Sequence, residues 1–187
     1  EMLPDHLQQV LMESLGKSVR MDGSDCEYAT SPVLMGASGN PSQHSFFQYL
    51  QQGIGIVPVD FIGVVKSSHC QAQNHHFILA NLLAQAQSLA NGQGSADPHK
   101  RYPGNRPSTV ILIDELTPYA LGMLLALYEH SVFVQSKIWG INAFDQWGVE
   151  LGKQIATTLM PYVEKSRADT ENLDPVTREL LQRMLAD

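Results

Sequence analysis

Two polar side chains near the start of the sequence share a helix face, and one of them can transfer protons. Glu13 carries a carboxylate, and Gln9 lies four residues before it. In the helix predicted for residues 4–15, a rotation of about 100° per residue puts both on one face. That face is opposite an apolar stripe of Leu7, Val10 and Leu11. Such side chains are far more often solvated than catalytic, so a site here requires another surface to cover them.

Three further side chains have the chemistry of proton transfer or ligand contact. Gln146 and Lys153 are two turns apart on one face of the helix predicted for residues 146–163, so both can reach one ligand. His44, near the start of another predicted helix, is an imidazole of the kind used as a general acid or base. Two of the three also have a simpler explanation. Lys153 follows Glu150 at ion-pair spacing, and His44 can be a polar surface residue.

A third group of reactive side chains has metal-binding chemistry without metal-binding spacing. Its members are His69, Cys70, His75 and His76. No second ligand pair lies at the spacing of a structural zinc site elsewhere, so we predict no metal. Ser67 and Ser68 follow an apolar segment and are interpreted as a plain turn rather than a phosphate-binding loop.

Composition restricts the classes of protein that fit. The chain has 187 residues, 43% of them hydrophobic and 17% charged, with a formal net charge of -7. This predicts one large domain and no nucleic-acid partner, because no basic stretch is present. No apolar run reaches membrane-spanning length and no signal peptide is apparent, so we expect no membrane association. Cys26 and Cys70 lack disulfide-type spacing, which favours reduced thiols and a cytoplasmic location.

The elements that must position these residues alternate between short apolar strands and longer helices. Such alternation predicts an α/β layered fold with a largely parallel sheet. Residues 109–113 have the continuous apolar character of a strand buried on both faces. Two tryptophans and the residues around Leu124 are predicted core: Trp139, Trp147, Met123, Leu124 and Leu127. The predicted strands are 31–36, 54–65, 109–113 and 137–141, and the predicted helices are 4–15, 40–52, 75–90, 117–130, 146–163 and 175–185.

One long segment resembles a known signature. Residues 136–153, SKIWGINAFDQWGVELGK, resemble the C-terminal signature of glucose-6-phosphate isomerases. Shorter stretches of the same family occur in the same order and cover nearly the whole chain. They are MESLGK at 12–17, QHSFFQ at 43–48, VPVDFI at 57–62, GNRP at 104–107, Thr117-Pro118 and LYEH at 127–130. The chain is therefore similar to the C-terminal sugar isomerase domain of that family over residues 1–187, with 164–187 as a helical tail.

The resemblance implies a fold and a reaction. It implies a three-layer, Rossmann-like sandwich with a mainly parallel sheet flanked by helices, and a site between two such domains at a homodimer interface. The implied activity is interconversion of glucose 6-phosphate and fructose 6-phosphate through a cis-enediol, without a cofactor. By motif, Glu13 is the catalytic base, His44 opens the sugar ring and Lys153 assists it. Gln9 and Gln146 contact the hexose 6-phosphate.

Two parts of the implied site have no counterpart in the sequence. The family's Ser/Thr-rich phosphate loop and its Gly-Gly-Arg motif belong to the N-terminal domain. Leu15 and residues 36–44 also depart from the usual motifs. We therefore expect the chain to be inactive alone and to require that N-terminal domain. Two alternatives remain at this point: a non-catalytic sugar-phosphate-binding module that regulates a partner, and a structural interaction domain.

Overall fold

The chain folds into seven α-helices and two strands within the part that is described. The computed structural model describes residues 2–67 and 69–186, so Ser68 lies outside it. The helices are α1 (Leu3–Gln8), α2 (Gly39–Ser42), α3 (Phe47–Gln52), α4 (Ala72–Asn91), α5 (Pro118–Trp139), α6 (Glu150–Val163) and α7 (Pro175–Leu185). The strands are β1 (Val59–Val64) and β2 (Ser108–Ile113). A π-helical segment, Gln9–Glu13, continues α1, and 3-10 turns form at Pro98–Lys100 and Trp147–Val149.

The chain divides into two compact units, Glu1–Ala143 and Phe144–Asp187. The first unit has two apolar cores. One gathers Leu7, Leu11, Leu15, Val132, Ile141 and Ala143, and the other gathers Phe47, Leu50 and Leu89. In the second unit α6 packs against α7, and Tyr162 and Leu181 are buried. The assignment of residues 1–187 to one sugar isomerase domain with a tail from 164 stays a prediction.

The sheet of the first unit is parallel and has helices on both faces. β1 pairs with β2 from Val59 with Ser108 to Val64 with Ile113. Phe61 packs on the α3 core, and a side chain added at Gly63, on the same face, would meet leucines of α4. Asp60 points to the opposite face, because strand side chains alternate, and it contacts α5. The predicted three-layer α/β arrangement with a parallel sheet is confirmed for this unit.

Two of the predicted strands are wrong. Residues 31–36 form no ladder and instead run beside α1, where Gln8 Nε2 donates to the Leu34 carbonyl at 3.2 Å. Residues 137–139 belong to α5, which continues nine residues beyond its predicted end at 130. Nothing breaks the helix before Gly140, whose left-handed backbone (φ 68°) ends it. Strand β1 lies within the prediction 54–65 and begins just after Pro58, and β2 covers the prediction 109–113 and begins one residue earlier, at Ser108.

The burial predicted for β2 and for parts of the core is also wrong in this chain. Val110 and Leu112 are 39% and 56% exposed, although they lie on the same face of the sheet as Phe61 and Gly63, where α4 packs. Of the predicted core residues, Leu124 is buried and Trp139 half-buried, whereas Met123, Leu127 and Trp147 are exposed. In this chain, apolar residues therefore lie at the surface as well as in the core.

A tyrosine on α5 ties that helix to the sheet. The Tyr128 hydroxyl donates to Asp60 Oδ2 at 3.0 Å. Burial raises the pKa of the Tyr128 phenol above its usual value, and the negative charge of Asp60 raises it further. The fold therefore favours the protonated phenol.

This raised pKa predicts a loss of stability in alkali. The unfolded-state pKa of tyrosine is about 10, so the contribution of Tyr128 is complete below that pH and is lost as the pH rises above it. Urea unfolding of the chain between pH 9 and 11 should show the free energy of unfolding falling more steeply than in Tyr128→Phe. Tyr119→Phe, at an exposed position of the same helix, should keep the steep fall. Equal slopes for the wild type and Tyr128→Phe would contradict this.

In the described residues, no helix is both long enough and apolar enough to cross a bilayer.

Candidate active site

The first candidate surface is the helix that carries Gln9 and Glu13. Both lie in the π-helical segment Gln9–Glu13, called the wide turn below. Gln9 is exposed and Glu13 is half-buried, while Leu7 and Leu11 of the same helix are buried in the core. The sequence thus placed the two polar side chains outside the leucine core, where they are found. Their roles stay predictions.

The end of this helix is fixed by two side chains. Lys17 Nζ donates to the Glu13 carbonyl oxygen at 2.9 Å, which satisfies an acceptor that a helix end leaves open. Buried Thr30 holds the backbone of Lys17 in both directions, because its Oγ1 accepts from the Lys17 N–H at 3.1 Å and donates to the Lys17 carbonyl at 2.7 Å. The backbone carrying Glu13 is therefore anchored to the segment around Thr30. Sequence analysis gave Lys17 no role, although it closes the MESLGK stretch.

Loss of the Thr30 hydroxyl should destabilise the chain. Thr30→Val removes both bonds from a buried site, at a cost of about 1–3 kcal/mol. Thr30→Ser keeps the hydroxyl and should lose clearly less. Urea unfolding of the purified chain measures both, and equal losses in the two variants would assign the effect to packing instead.

The second candidate surface surrounds His44. The single helix predicted for 40–52 is wrong: α2 ends at Ser42, a turn spans 43–46, and α3 begins at Phe47. Asn40-Pro41 has the composition of a helix start, but the N-cap residue of α2 is Ser38, whose side chain forms no capping bond. His44 is exposed in the turn, at the mouth of an open groove of about 740 Å³ between α3 and α4.

The wall of this groove is rich in side-chain amides. Gln51, which is buried, donates through Nε2 to Gln85 Oε1 at 3.2 Å and accepts at Oε1 from Ser88 Oγ at 3.2 Å. These bonds join α3 to α4 and so fix the helix that follows His44. Sequence analysis gave Gln51 no role. The signal available was its place in the row of glutamines at Gln43, Gln48, Gln51 and Gln52.

The third candidate surface belongs to the second unit. Lys153 Nζ pairs with Glu150 Oε1 at 2.8 Å, and both side chains are substantially exposed, which is the simple ion pair foreseen as the alternative. Gln146 is exposed and precedes the 3-10 turn Trp147–Val149, and α6 starts only at Glu150. The prediction that Gln146 and Lys153 lie two turns apart on one α-helix is therefore wrong.

The structure groups some of the predicted residues and leaves others apart. Gln9 and Glu13 share the wide turn. No hydrogen bond or ion pair joins Glu13 to His44 in the described parts of the chain. The His69 and His75 rings meet edge to face at 6.0 Å, and His75 Nε2 lies 2.9 Å from the Val65 carbonyl. Among residues 2–67 and 69–186, no three His, Cys, Asp or Glu side chains come together as a metal site.

Comparison with known proteins identifies the family. The family model for phosphoglucose isomerase matches residues 1–181 of the 187. The chain belongs to the phosphoglucose isomerase family. The glucose-6-phosphate isomerase of Xanthomonas oryzae pv. oryzae (strain PXO99A) is 58% identical over 183 residues, which are 98% of this chain and 36% of that protein. The protein of the same name from Xanthomonas axonopodis pv. citri is 57% identical over the same shares.

Solved structures agree with the fold. A glucose-6-phosphate isomerase from Chlamydia trachomatis superposes with a TM-score of 0.81 at 40% identity, over 96% of this chain and 34% of that chain. A hypothetical protein from Thermus thermophilus, at 23% identity and a TM-score of 0.61 over 83% of this chain and 37% of that chain, shares the fold. The chain spans about a third of the length of these phosphoglucose isomerase relatives. Its parallel sheet flanked by helices is thus part of a larger family architecture.

Proposed function

We propose that this chain supplies the acid–base groups of a glucose-6-phosphate isomerase and does not turn over substrate alone. The reaction interconverts glucose 6-phosphate and fructose 6-phosphate through a cis-enediol. The observation that carries the proposal is the 58% identity, over 98% of the chain, to an enzyme of that name. The presentation of Glu13 and His44 outside the two cores supports it, because catalytic groups must remain accessible to a ligand.

Glu13 moves the proton. Transfer of a carbonyl from C1 to C2 needs a proton removed from the carbon next to the carbonyl and returned to the neighbouring carbon. One carboxylate facing a planar enediol serves both positions. Glu13 lies beside the leucine core but is not enclosed by it, so a ligand covered by another surface can reach it.

His44 and Lys153 act before isomerisation. Hexose phosphates bind mainly as closed rings, so the ring oxygen must take a proton and the anomeric hydroxyl must lose one. His44 is accessible in its turn, and Lys153 is an exposed cation held by Glu150 alone among the described ion pairs. Gln9 and Gln146, both exposed, contact the sugar hydroxyls.

The substrate anion must be held by local positive groups. A chain with net charge -7 repels a phosphate ester at long range, so its overall field gives no attraction. The phosphate loop and the arginine of the Gly-Gly-Arg motif, which the family places in its N-terminal domain, supply that attraction. Without such preorganised donors the rate falls by about 10²-fold or more.

An exposed apolar stripe on α5 supports a partner domain. Tyr119, Met123, Leu127, Val134 and Ile138 follow one another four or seven positions apart and are all exposed. An exposed stripe of this kind is typical of a surface that another element covers. The partner is the remaining two thirds of an isomerase of this family, and the assembled enzyme is a cytoplasmic homodimer.

A chimera tests the proposal. The 183 matched residues of this chain replace the corresponding part of the Xanthomonas oryzae isomerase; this protein is called the chimera below. Conversion of fructose 6-phosphate is measured for the chimera and for the purified chain. The chimera should turn over, and the chain alone should be slower by about 10²-fold or more. Sedimentation of the chimera should give a dimer.

Three results would overturn parts of the proposal. Robust turnover by the chain alone would contradict its dependence on a partner. An inactive chimera that folds would contradict the catalytic function. If calorimetry then showed that the chain binds hexose phosphates tightly, the alternative of a non-catalytic, sugar-phosphate-binding regulatory module would replace the catalytic proposal.

A further inference from the structure

The wide turn interrupts an otherwise regular helix at the two residues assigned to chemistry. α1 ends at Gln8, Gln9–Glu13 is π-helical, and residues 14–15 are again α-helical. Isolated π-helical turns are rare and occur frequently at functional sites. No proline or glycine lies in this helix after Pro4 to cause the irregularity, so we attribute it to side-chain packing.

The leucines of this helix have a spacing that an α-helix does not match. Leu7, Leu11 and Leu15 are spaced four and four, and all three are buried in one core. In a regular α-helix with 3.6 residues per turn, a side chain four residues further along is rotated about 40° around the helix axis relative to the first. A π-helical turn, which bonds residue i to i+5, holds more residues and removes this drift. The wide turn thus keeps the three leucines on one line.

The same geometry aligns the candidate catalytic pair. Gln9 and Glu13 are also four apart, and they are the first and last residues of the wide turn. The turn that keeps the leucines in line therefore also keeps Gln9 and Glu13 in line, on the part of the helix outside the core.

Contacts on both sides hold the wide turn in place. Gln8 Nε2 donates to the Leu34 carbonyl at 3.2 Å, and the Leu34 N–H donates to Met12 Sδ at 3.5 Å. One residue of the neighbouring segment thus contacts the helix at both ends of the wide turn. Lys17 Nζ bonds the Glu13 carbonyl just beyond it.

We propose that the wide turn is a positioning device for Glu13, which sets its carboxylate in line with Gln9 while the leucines stay in the core. The proposal rests on the proposed function, in which Glu13 is the base. Catalysis is sensitive to such placement, because a displacement of about 1 Å can cost about 10²-fold in rate.

Deletion of Val10 from the chimera tests it. The deletion brings Leu7, Leu11 and Leu15 to spacings of three and four, which a regular α-helix buries on one face. It also brings Gln9 and Glu13 to a spacing of three and turns them out of line. We expect a folded protein whose kcat is lower by about 10²-fold, with a smaller change in KM. Val10→Ala, which removes the side chain and keeps the length, should retain most of its activity.

Deletion of exposed Met12 is the second variant, because it gives leucine spacings of four and three and removes less buried surface. It should lose kcat in the same way. Met12→Ala also lacks the contact with the Leu34 N–H but keeps the chain length, so it separates the loss of that contact from the change of spacing. A folded deletion variant as active as its alanine control would overturn the proposal. If neither deletion folds while both alanine variants do, the wide turn serves folding and the positioning role is contradicted. Glu13→Gln separates this from the proposed function: if Glu13→Gln stays active, the base assignment itself fails.

Discussion

Replacing Glu13 by glutamine in the chimera should lower kcat by about 10²–10⁴-fold, the usual contribution of a general base. Glutamine has nearly the same size and keeps a hydrogen-bonding oxygen, but it cannot take up a proton from carbon. Substrate binding depends on other groups, so KM should change little. Among the residues that the structure describes, the Glu13 side chain forms no ion pair, and the bond from Lys17 goes to its backbone carbonyl, so folding should be preserved.

Asp5→Asn is the matched control for this variant. Asp5 is an exposed carboxylate in the first turn of α1, so its replacement removes one negative charge from the same helix without touching the wide turn. It should retain the activity of the chimera. Comparable losses in Asp5→Asn and Glu13→Gln would mean that charge near the helix, rather than proton transfer, controls the rate.

Replacing His44 by alanine should have the second-largest effect, a fall in kcat of about 10²-fold or more on cyclic hexose 6-phosphates. The imidazole is exposed in the turn between α2 and α3 and is not part of either core, so its loss leaves the fold intact. The free energy of unfolding should therefore stay within about 0.5 kcal/mol of the parent value.

The ring-opening role gives this variant a specific signature. An aldotetrose 4-phosphate cannot close a ring, so it needs no ring opening by His44. Exchange of its C2 proton with solvent, measured in the chimera, still needs Glu13 as the base. His44→Ala should slow this exchange far less than it slows hexose isomerisation. His76→Ala, at an exposed histidine of α4, should affect neither. Equal losses on both substrates would place His44 in the proton-transfer step instead.

Sequence alone predicted much of the layered fold. Alternating apolar segments located β1 and β2, and helical periodicity located α4 and, without error in its bounds, α7. It failed where one apolar pattern suits two structures. Residues 137–141 are apolar enough for a strand, but the burial of Leu124, Val132 and Ser136 at multiples of four continues α5 as far as Trp139. Only the three-dimensional packing decides between these.

The candidate site was predictable in its residue types and less so in its geometry. Residue motifs selected Glu13, His44 and Lys153, whereas their surroundings depended on irregular turns that helical periodicity does not contain. The wide turn and the turn at 43–46 both depart from a regular helix. The four-residue leucine spacing was a visible sign of the first. The break at 43–46 had no comparable sign, because the Asn40-Pro41 start resembles that of an ordinary helix.

The ion pair between Lys153 and Glu150 is weak enough for the lysine to exchange Glu150 for another hydrogen-bonding group. Both side chains are substantially exposed, and an i,i+3 pair of this kind contributes about 0–1 kcal/mol. At physiological ionic strength, where the Debye length is about 8 Å, solvent ions weaken the pair further. An incoming sugar oxygen can therefore displace Glu150 at little energetic cost. In the proposed role of Lys153, its ammonium group exchanges this weak contact with Glu150 for a contact with the sugar.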